Sequence, residues 1–478
     1  MVKRAAQHEQ RVFRLPSARR SPKLLLPLGG GSTEKSDRWL EGSVTAEVAI
    51  MNKLGIALAA DSTVSIGDKT YDSANKLFAL SKHHPVGILV YNTMDMTTVP
   101  MEILIKGYRD QLKLTSHKTL AKYSNEFIRF LTEKTPVGKE EEKDNVTQII
   151  RDICLKLNEI VSDKCDDSSI DQDDPKNSDA VKKTLFDEFD RLDSRATEVG
   201  RFEGFSATDE SNISRDYGAL IKGQVRRHFR HYKLSPGKAA TVERLLIKVI
   251  VSNLSSRDYT GFVVAGYGDA EHYPSIIPSQ TDGFIVGKLK IVHGEVGSIS
   301  HKNKSIIYPF AQSDIVQLFV EGAAKTYQRY IERGVQDIFA DLAATTAKYF
   351  GVSDSKKISR LRSKLRDKSA ELLSGFGEYS HREFVKPMLD AIKYLDKAEL
   401  ALLAESLVNI TALKRKISLD VETVGGPIDV AVISKGDGFI WIKRKHYFDP
   451  TLNPFYFQKY LSYRGTEIPG QPLERDKP

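Results

Sequence analysis

The sequence contains little cysteine and no long apolar run, and these shortages exclude several classes of protein. Only two of its 478 residues are cysteines, Cys154 and Cys165, which argues against a disulfide framework and against a zinc site. So few cysteines suit a reducing cytoplasm. No stretch of about 18 consecutive apolar residues occurs, so the sequence predicts no membrane span. We therefore expect a cytoplasmic protein with no membrane partner.

Motifs for nucleotides, dinucleotides and metals are also missing. The chain has no Walker-type loop, and the glycines of the segment Gly266-Tyr267-Gly268-Asp269 do not continue into a G-x-G-x-x-G fingerprint. Histidine, cysteine and acidic residues occur at no recognisable ligand spacing. We therefore expect neither a cofactor nor a metal.

The charge is only moderately unbalanced. Lysine and arginine number 71 against 63 acidic residues, which gives a formal net charge of +8 and a pI near 9.0. This balance permits an anionic partner without requiring one, and a solvated basic surface explains it more simply. Two basic segments, Arg226–Lys233 and Ser353–Ser369, are interpreted in the same way, as exposed helix faces. We do not expect a nucleic-acid partner.

The segment from Thr45 to Leu80 has the pattern of consecutive β-strands. Val48–Ile50 and Ile56–Ala60 are predicted strands joined by a tight turn at Asn52–Gly55, and Lys76–Leu80 is a third extended piece.

Three polar side chains stand at the ends of these strands. Thr45 precedes the first strand, Asp61 follows the second, and Lys76 begins the third. A hydroxyl, a carboxylate and an amine at the ends of neighbouring strands can meet at one rim of a sheet.

The remaining elements follow from apolar periodicity and turn residues. Further strands are predicted at Pro85–Tyr91, Arg244–Val251, Gly261–Ala265, and in a hairpin of Gly283–Val286 with Leu289–Val292. Helical spacing predicts a helix that opens at Pro100, a stripe from Val146 to Ile160, a face formed by Ile315, Leu318, Phe319, Ala323 and Tyr327, and a core helix at Ala398–Leu413.

The C-terminal part carries a second signature, Thr423–Ile442. It reads as two antiparallel strands, with Gly425-Gly426 entering the first and Gly436-Asp437-Gly438 turning into the second.

Together these two segments resemble the β subunits of proteasomes and the related bacterial two-component protease, which are N-terminal-nucleophile hydrolases. That family has Thr at the mature N-terminus, an acidic residue after the second strand, and Lys before an apolar-Phe pair. Here Thr45, Asp61 and Lys76 correspond, with Lys76 about one residue early. The resemblance implies an α+β fold, a four-layer α-β-β-α sandwich, here with large helical insertions.

The resemblance also implies a catalytic chemistry for these three residues. A Thr45 at the start of a chain offers a hydroxyl nucleophile and an α-amine that titrates near ~7.7–8.0 and can accept the hydroxyl proton. Lys76 would lower the pKa of that amine, and Asp61 would keep Lys76 charged and in place. The product is an ester acyl-enzyme that water then hydrolyses.

Four further residues are implied as oxyanion or supporting groups. Asn92 stands where the family donates a backbone N–H, usually from Gly. Asp269 follows the Gly pair that corresponds to the family's Gly-Ser-Gly loop. Thr423 and Gly425 belong to the closing Ser-Gly-Gly step, in which Val424 occupies the Ser position. A shifted register would let Thr423 serve instead.

These assignments divide the chain into seven parts. They are a leader at 1–43, the first half of the N-terminal-nucleophile core at 44–113, a helical insertion at 114–240, core strands at 241–310, a helical segment at 311–417, closing strands at 418–445 and a tail at 446–478. Three interpretations of 1–43 stand: a propeptide, a disordered tail, or a start codon assigned too early. We favour the third, because loss of an initiator residue at Val44 would leave Thr45 first.

Two classes of function follow from the resemblance. One is a threonine-type peptide hydrolase that acts on peptide or protein substrates, forms a homo-oligomer such as a ring, and relies on a separate ATPase partner for unfolding. The other is a catalytically silent proteasome-like subunit that serves as a binding or assembly module. A non-peptide amidohydrolase is a third interpretation, because fold does not fix substrate.

Overall fold

The computed structural model describes residues 46–66, 69–167, 170, 174–311, 314–351, 354–417 and 424–456. Two predicted site residues, Thr45 and Thr423, lie outside the described residues, as do the leader 1–43 and positions 457–478.

Strands and helices alternate in blocks along the described residues. The strands are Ala46–Asn52 (β1), Gly55–Ala60 (β2), Val64–Ile66 (β3), Lys69–Tyr71 (β4), Leu77–Ala79 (β5), Val86–Asn92 (β6), Asp95–Met96 (β7), Val99–Pro100 (β8), Thr260–Gly266 (β9), Ser275–Ile285 (β10), Lys288–His293 (β11), Gly297–Ser298 (β12), Ser305–Ala311 (β13), Asp429–Ser434 (β14) and Gly438–Lys443 (β15). The helices are Met101–Leu112 (α1), Leu120–Lys134 (α2), Lys139–Asp167 (α3), Ser178–Val199 (α4), Ala207–His228 (α5), Pro236–Val251 (α6), Asp314–Glu321 (α7), Lys325–Tyr349 (α8), Ser355–Ser380 (α9), Lys386–Ile392 (α10) and Lys397–Ile417 (α11).

The first sheet is antiparallel and has the order β13-β1-β2-β14-β15. Glu47 pairs with Ala60, and Ala60 pairs with Asp429 on its other side. The start of β1, the end of β2 and the start of β14 therefore lie at one end of this sheet, which we name the Asp61 end. Gly55 allows the close approach of β14, because a Cβ there would lie 2.7 Å from the carbonyl oxygen of Ile433.

The second sheet is also antiparallel, with the order β11-β10-β9-β6-β5 and the short β12 beside β10. In the pairing of β6 with β9, Asn92 lies opposite Thr260 and Val86 lies opposite Gly266. Asn92 and Gly266 therefore mark opposite ends of the second sheet, which we name the Asn92 end and the Gly266 end.

The two sheets pack against each other through apolar side chains that alternate along their strands. Ala49 and Leu58 of the first sheet share one buried cluster with Leu89, Val263 and Ala265 of the second. Because strand side chains alternate between faces, the intervening residues point away from this interface.

Helices cover the other face of each sheet. Val48 and Ala57 of the first sheet pack against Leu400 and Leu407 of α11. On the second sheet, strand residues that include Ile88 and Val264 are buried with a set from α1 and α2: Leu104, Ile105, Tyr108, Tyr123 and Phe127. The helix predicted to open at Pro100 is confirmed, and so is the core helix at Ala398–Leu413.

Helices α3 to α6 form a cluster with its own apolar core. The predicted stripe from Val146 to Ile160 is confirmed as the buried face of α3. Phe229 and Tyr232 of the basic segment Arg226–Lys233 are 2% and 4% exposed, and they belong to the same core. Arg226, Arg227 and Arg230 are exposed, so the segment is an exposed basic face beside a buried aromatic edge.

Several strand predictions are confirmed. Val48–Ile50 and Ile56–Ala60 lie within β1 and β2, Pro85–Tyr91 corresponds to β6, and Gly261–Ala265 lies within β9. The predicted hairpins are β10–β11 and β14–β15. The turn between β10 and β11 falls at Val286-Gly287, where both residues have positive φ.

The strand predicted at Arg244–Val251 is wrong, because this segment is the second half of α6. The Ser235 hydroxyl accepts a hydrogen bond from the Lys238 N–H, and Pro236 occupies the first turn. Both are helix-start signals. The apolar residues that resemble a buried strand instead pack among α3, α4 and α5.

The helix face predicted from Ile315 to Tyr327 is also wrong. Helix α7 ends at Glu321, and α8 begins at Lys325. Phe319 and Tyr327 are 45% and 60% exposed, whereas the buried side of α7 is formed by Ile315, Val316 and Val320.

Helices α8 and α9 pack on each other and leave much of their apolar surface uncovered. The exposed large side chains of this pair are Tyr327, Tyr330, Ile338, Leu342, Tyr349, Leu372, Phe376 and Tyr379. Exposed apolar side chains that form a contiguous patch are typical of an interaction face.

Candidate active site

Asp61 follows β2 at the Asp61 end of the first sheet, and its carboxylate accepts four hydrogen bonds. Oδ1 accepts from the backbone N–H of Ala46 at 3.1 Å and from Lys76 Nζ at 2.6 Å. Oδ2 accepts from the N–H of Thr63 at 3.3 Å and of Gly425 at 3.1 Å. The side chain is buried. One carboxylate therefore joins the start of β1, the start of β5 and the closing segment.

Lys76 lies immediately before β5, and its carbonyl accepts a hydrogen bond of 2.7 Å from the N–H of Val90. Its ammonium lies 2.6 Å from Asp61 Oδ1 and 3.2 Å from Glu47 Oε1, and all three side chains are 0% exposed. A buried ammonium is tolerated only when it is paired with opposite charge. The amine is therefore held at a fixed place between the two sheets.

Sequence reasoning missed Glu47. It shares the face of β1 that Ala49 and Met51 turn toward the second sheet, since all three are odd-numbered positions of one strand. The available signal was a carboxylate on the interior face of an otherwise apolar strand. Such a residue is almost never fully buried unless it is paired.

The closing segment reaches the same place through Gly425. Its N–H donates to Asp61 Oδ2, and its carbonyl accepts from the Ser62 N–H at 3.2 Å. The Ser62 hydroxyl also donates to the carbonyl of Pro427. Gly425 is thus brought together with Asp61, whereas Thr423 lies outside the described residues.

Asn92 ends β6 in the left-handed conformation, with φ of 67°. Asparagine tolerates this region better than most residues other than glycine. Its side-chain Nδ2 donates to the carbonyls of Arg257 at 2.8 Å and Tyr259 at 2.7 Å. Asn92 lies two residues beyond Val90, whose N–H donates to the Lys76 carbonyl. Asn92 and Lys76 therefore both lie at the Asn92 end of the second sheet.

Asp269 is not brought to this place. It follows Gly266, at the other end of β9, where its N–H donates to the His117 carbonyl at 2.9 Å. Its carbonyl accepts from Lys435 Nζ at 3.0 Å. The seven residues of β9 separate the two ends of the sheet by about 20 Å. The structure therefore does not bring Asp269 together with Asp61 and Lys76.

Two tyrosines stand near Glu47 in the interior. Burial raises the pKa of Tyr91 well above its ordinary value, and the charge of Glu47 raises it further. Burial likewise raises the pKa of Tyr259, with Tyr91 and Glu47 adding to the effect. Both hydroxyls therefore stay neutral across the physiological range, and neither compensates a buried charge.

A small cleft lies where α3, α4 and α6 meet the segment before β9. Its polar lining consists of Asp152, Lys156, Arg195, Ser255, Ser256 and Arg257. The side-chain amide of Gln148 donates to Asp152 at 3.0 Å and to Asp258 at 3.3 Å, so the two carboxyl groups are held close. Burial first, and then the charge of Asp258, raise the pKa of Asp152 from 3.8 to about 7.

Metal and membrane features were sought among the described residues. Within these ranges, His, Cys, Asp and Glu form no group of three or more able to hold a metal ion. No helix in the same ranges combines the length and the apolar character needed to cross a bilayer.

Comparisons with known proteins identify no family for the chain. No family model matches it. No curated protein matches it either.

Solved structures of Anbu proteins overlap with it weakly. An Anbu Gly-1 mutant from Hyphomicrobium sp. strain MC1 has a TM-score of 0.28 and 10% identity, over 90% of this chain and 100% of that one. An Anbu complex from Pseudomonas aeruginosa, described as a helical assembly, gives 0.26 and 10%, over 90% and 98%. Anbu from Yersinia bercovieri, described as an ancestral beta-subunit, gives 0.25 and 10%, over 90% and 99%. Overlaps of this size define neither a fold nor a function for this chain.

Proposed function

We propose that this chain is a proteasome-like threonine-type amide hydrolase that cleaves peptide bonds through an acyl-enzyme formed on Thr45. One observation carries the proposal: Asp61 Oδ1 accepts hydrogen bonds from both the Ala46 N–H and the Lys76 ammonium. The carboxylate and the amine predicted from sequence therefore meet, and they do so beside the peptide group that links Ala46 to residue 45.

Covalent geometry limits the distance between Thr45 and Ala46. Consecutive Cα atoms are about 3.8 Å apart, so the Cα of residue 45 is about 3.8 Å from the Cα of Ala46, whose N–H donates to Asp61. Side chains two positions apart on a strand share a face, and Glu47 faces Lys76 at 3.2 Å. An extended backbone at residue 45 would turn the Thr45 hydroxyl toward the same ammonium.

In the proposed reaction the Thr45 hydroxyl attacks the amide carbonyl of the substrate while the α-amine of Thr45 accepts its proton. Lys76 favours the alkoxide through its positive charge, and the resulting α-ammonium returns the proton to the leaving amine. The α-amine of Thr45 then deprotonates a water molecule, which attacks the ester and releases the acid product, and the resulting α-ammonium returns the proton to the Thr45 oxygen. The backbone N–H of Asn92 is the candidate donor to the oxyanion.

The architecture proposed with this chemistry is the four-layer α-β-β-α sandwich. It is supported by the apolar interface between the two sheets and by α11 on one outer face and α1 and α2 on the other. Self-association is part of the proposal, because a second copy would cover the exposed apolar side chains of α8 and α9. Light scattering of the purified protein measures its oligomeric state directly.

The decisive experiment combines intact mass with covalent labelling. We expect the protein from its own host to begin at Thr45 and to gain the mass of a threonine-directed epoxyketone, which reacts with both the hydroxyl and the α-amine. Thr45→Ala should abolish labelling. Thr132→Ala, which changes an exposed threonine on α2, should leave it intact.

The outcomes separate the proposal from its alternatives. Retention of residues 1–44 together with no labelling would refute the hydrolase and support the silent binding or assembly module. Labelling without cleavage of a mixed peptide library would instead indicate a non-peptide amidohydrolase, which a panel of small amides would then identify.

A further inference from the structure

The small cleft between α3, α4 and α6 contains an arginine that has no carboxylate partner among the described residues. Arg195 of α4 lines this cleft and is half-buried. Its Nε is shielded from solvent and finds no hydrogen-bond acceptor in the described part of the chain. A buried N–H group without an acceptor costs free energy, so this guanidinium is placed to receive an anion.

A second hydrogen-bond donor lines the same cleft from a different element. Ser255 belongs to the segment that joins α6 to β9, and its Oγ is also buried without a hydrogen-bond partner within the described ranges. Buried polar groups in proteins are normally satisfied, by protein, water or ligand. Two unsatisfied donors from two elements at one cleft therefore indicate a bound group.

Cationic side chains outnumber acidic ones in the lining. Lys156, Arg195 and Arg257 accompany one acidic residue, Asp152. Lys156 and Arg257 also contact the same carboxylate, that of Glu159, at 3.1 Å and 3.6 Å. The lining is therefore positive overall, which favours an anionic ligand over a cation.

The carboxyl group of Asp152 does not cancel this preference. Gln148 holds it close to the carboxyl group of Asp258. Burial and the charge of Asp258 raise the pKa of Asp152 to about 7, and the charges of Arg151 and Arg257 oppose this rise only in part. As pH falls below about 7, Asp152 therefore becomes neutral and no longer repels an anion.

We propose that this cleft binds a carboxylate group carried on a short aliphatic chain, with Arg195 and Ser255 as the hydrogen-bond donors. The edge of a guanidinium group matches the two oxygens of a carboxylate. Small side-chain rotations, which are common on binding, complete these contacts. The remaining lining is apolar and contacts the chain of the ligand; it consists of Ile153, Leu192, Val249 and Leu254.

The size of the cleft separates a carboxylate from larger anions. Its enclosed volume is about 30 Å³, and one water molecule needs about 10–15 Å³. The space therefore suits the two oxygens of a carboxylate and is too small for the four oxygens of a phosphate. The site shares no side chain with the candidate active site, and the inference does not depend on the proposed hydrolase.

The first experiment measures binding of propionate to the full-length chain. Propionate should raise the melting temperature relative to chloride at equal ionic strength, with saturation in the millimolar range expected of so small a ligand. Propionamide has nearly the same shape but no charge, and it should have no effect. Hydrogen exchange with mass spectrometry should show slower exchange of residues 249–259 when propionate is bound.

Variants then assign the binding to the two donors. Arg195→Gln should weaken propionate binding at least about tenfold, because it removes a charge-assisted contact. Ser255→Ala removes one neutral hydrogen bond and should weaken binding by about two- to tenfold, and it tests the site even if the arginine variant does not fold. Lys183→Gln removes a positive charge at an exposed position of α4 and should bind propionate like the wild type.

Two sources of the carboxylate are distinguished by a second probe, an N-acetylated tripeptide that ends in valine, with its C-terminal amide as the control. Tighter binding of the peptide acid than of propionate assigns the site to peptide C-termini, and the reverse order assigns it to small free acids; both results support the proposal. If neither acid changes the melting temperature or the exchange of residues 249–259, the cleft holds only water and the proposal is overturned. Equal binding by wild type, Arg195→Gln and Ser255→Ala would also overturn it.

Discussion

Asp61→Asn tests how far the site depends on one carboxylate. Each oxygen of Asp61 accepts two hydrogen bonds, from Ala46 and Lys76 on one side and from Thr63 and Gly425 on the other. An asparagine in either orientation turns its NH₂ group toward two donors. At least two hydrogen bonds are therefore lost, whichever way the amide points.

The number of lost hydrogen bonds sets the loss of stability expected for Asp61→Asn. Leaving a buried polar group unsatisfied costs about 1–3 kcal/mol, and breaking a buried ion pair costs about 3–5 kcal/mol. Glu47 remains as a partner for Lys76, so we expect the free energy of unfolding to fall by about 3 kcal/mol. The hydrolytic activity should fall with it, because Lys76 is no longer held beside residue 45.

The assay is urea unfolding monitored by tryptophan fluorescence and circular dichroism, with Asp110→Asn as the matched control. Asp110 contacts Lys82 at 3.2 Å but is 65% exposed, and the same substitution there should change the free energy of unfolding by less than about 0.5 kcal/mol. If Asp61→Asn is as mild as this control, the four hydrogen bonds do not hold the site together, and the argument built on them is wrong.

Two further predictions concern Asn92 and Asp152. Asn92→Ala should destabilise the protein by about 1 kcal/mol more than Asn92→Gly, because both lose the bonds to Arg257 and Tyr259 but only alanine is strained at φ of 67°; equal unfolding midpoints would contradict this. The pKa of Asp152 is raised, so between pH 3.8 and about 7 the folded protein keeps a proton that the unfolded chain has released. The contribution of Asp152 to stability therefore falls as pH rises through that window. Asp152→Asn should flatten the dependence of the urea midpoint on pH, whereas Asp163→Asn at an exposed position should preserve it.

The parts of the fold that the sequence predicted are those encoded by local pattern. The β1–β2 hairpin follows from alternating residues around a turn, and Asp61 comes directly after it. The positions of Asp61 and Lys76 at the ends of strands could therefore be inferred before their contact was seen. Their distance of 2.6 Å depends on the packing of two sheets, which no local pattern contains.

The failures have equally physical causes. The segment Arg244–Val251 is apolar on both faces, so periodicity could not distinguish a buried strand from a buried helix, and the capping residue Ser235 decided the outcome. Glu47 was missed because its partner Lys76 is 29 positions further along the chain and the other residues of its strand before Asn52 are apolar. Asp269 was placed by analogy with a loop, whereas the register of β9 carries it to the far end of the sheet.

The position of β14 beside β2 has a consequence for synthesis of the chain. The strand that completes the centre of the first sheet begins at Asp429, more than 360 residues after its partner. Contacts of such long range form late, because loop closure must precede them. A ribosome that has released only the first three quarters of the polypeptide cannot yet have supplied Gly425 to Asp61. Nascent chains therefore remain without an assembled centre until translation is almost finished.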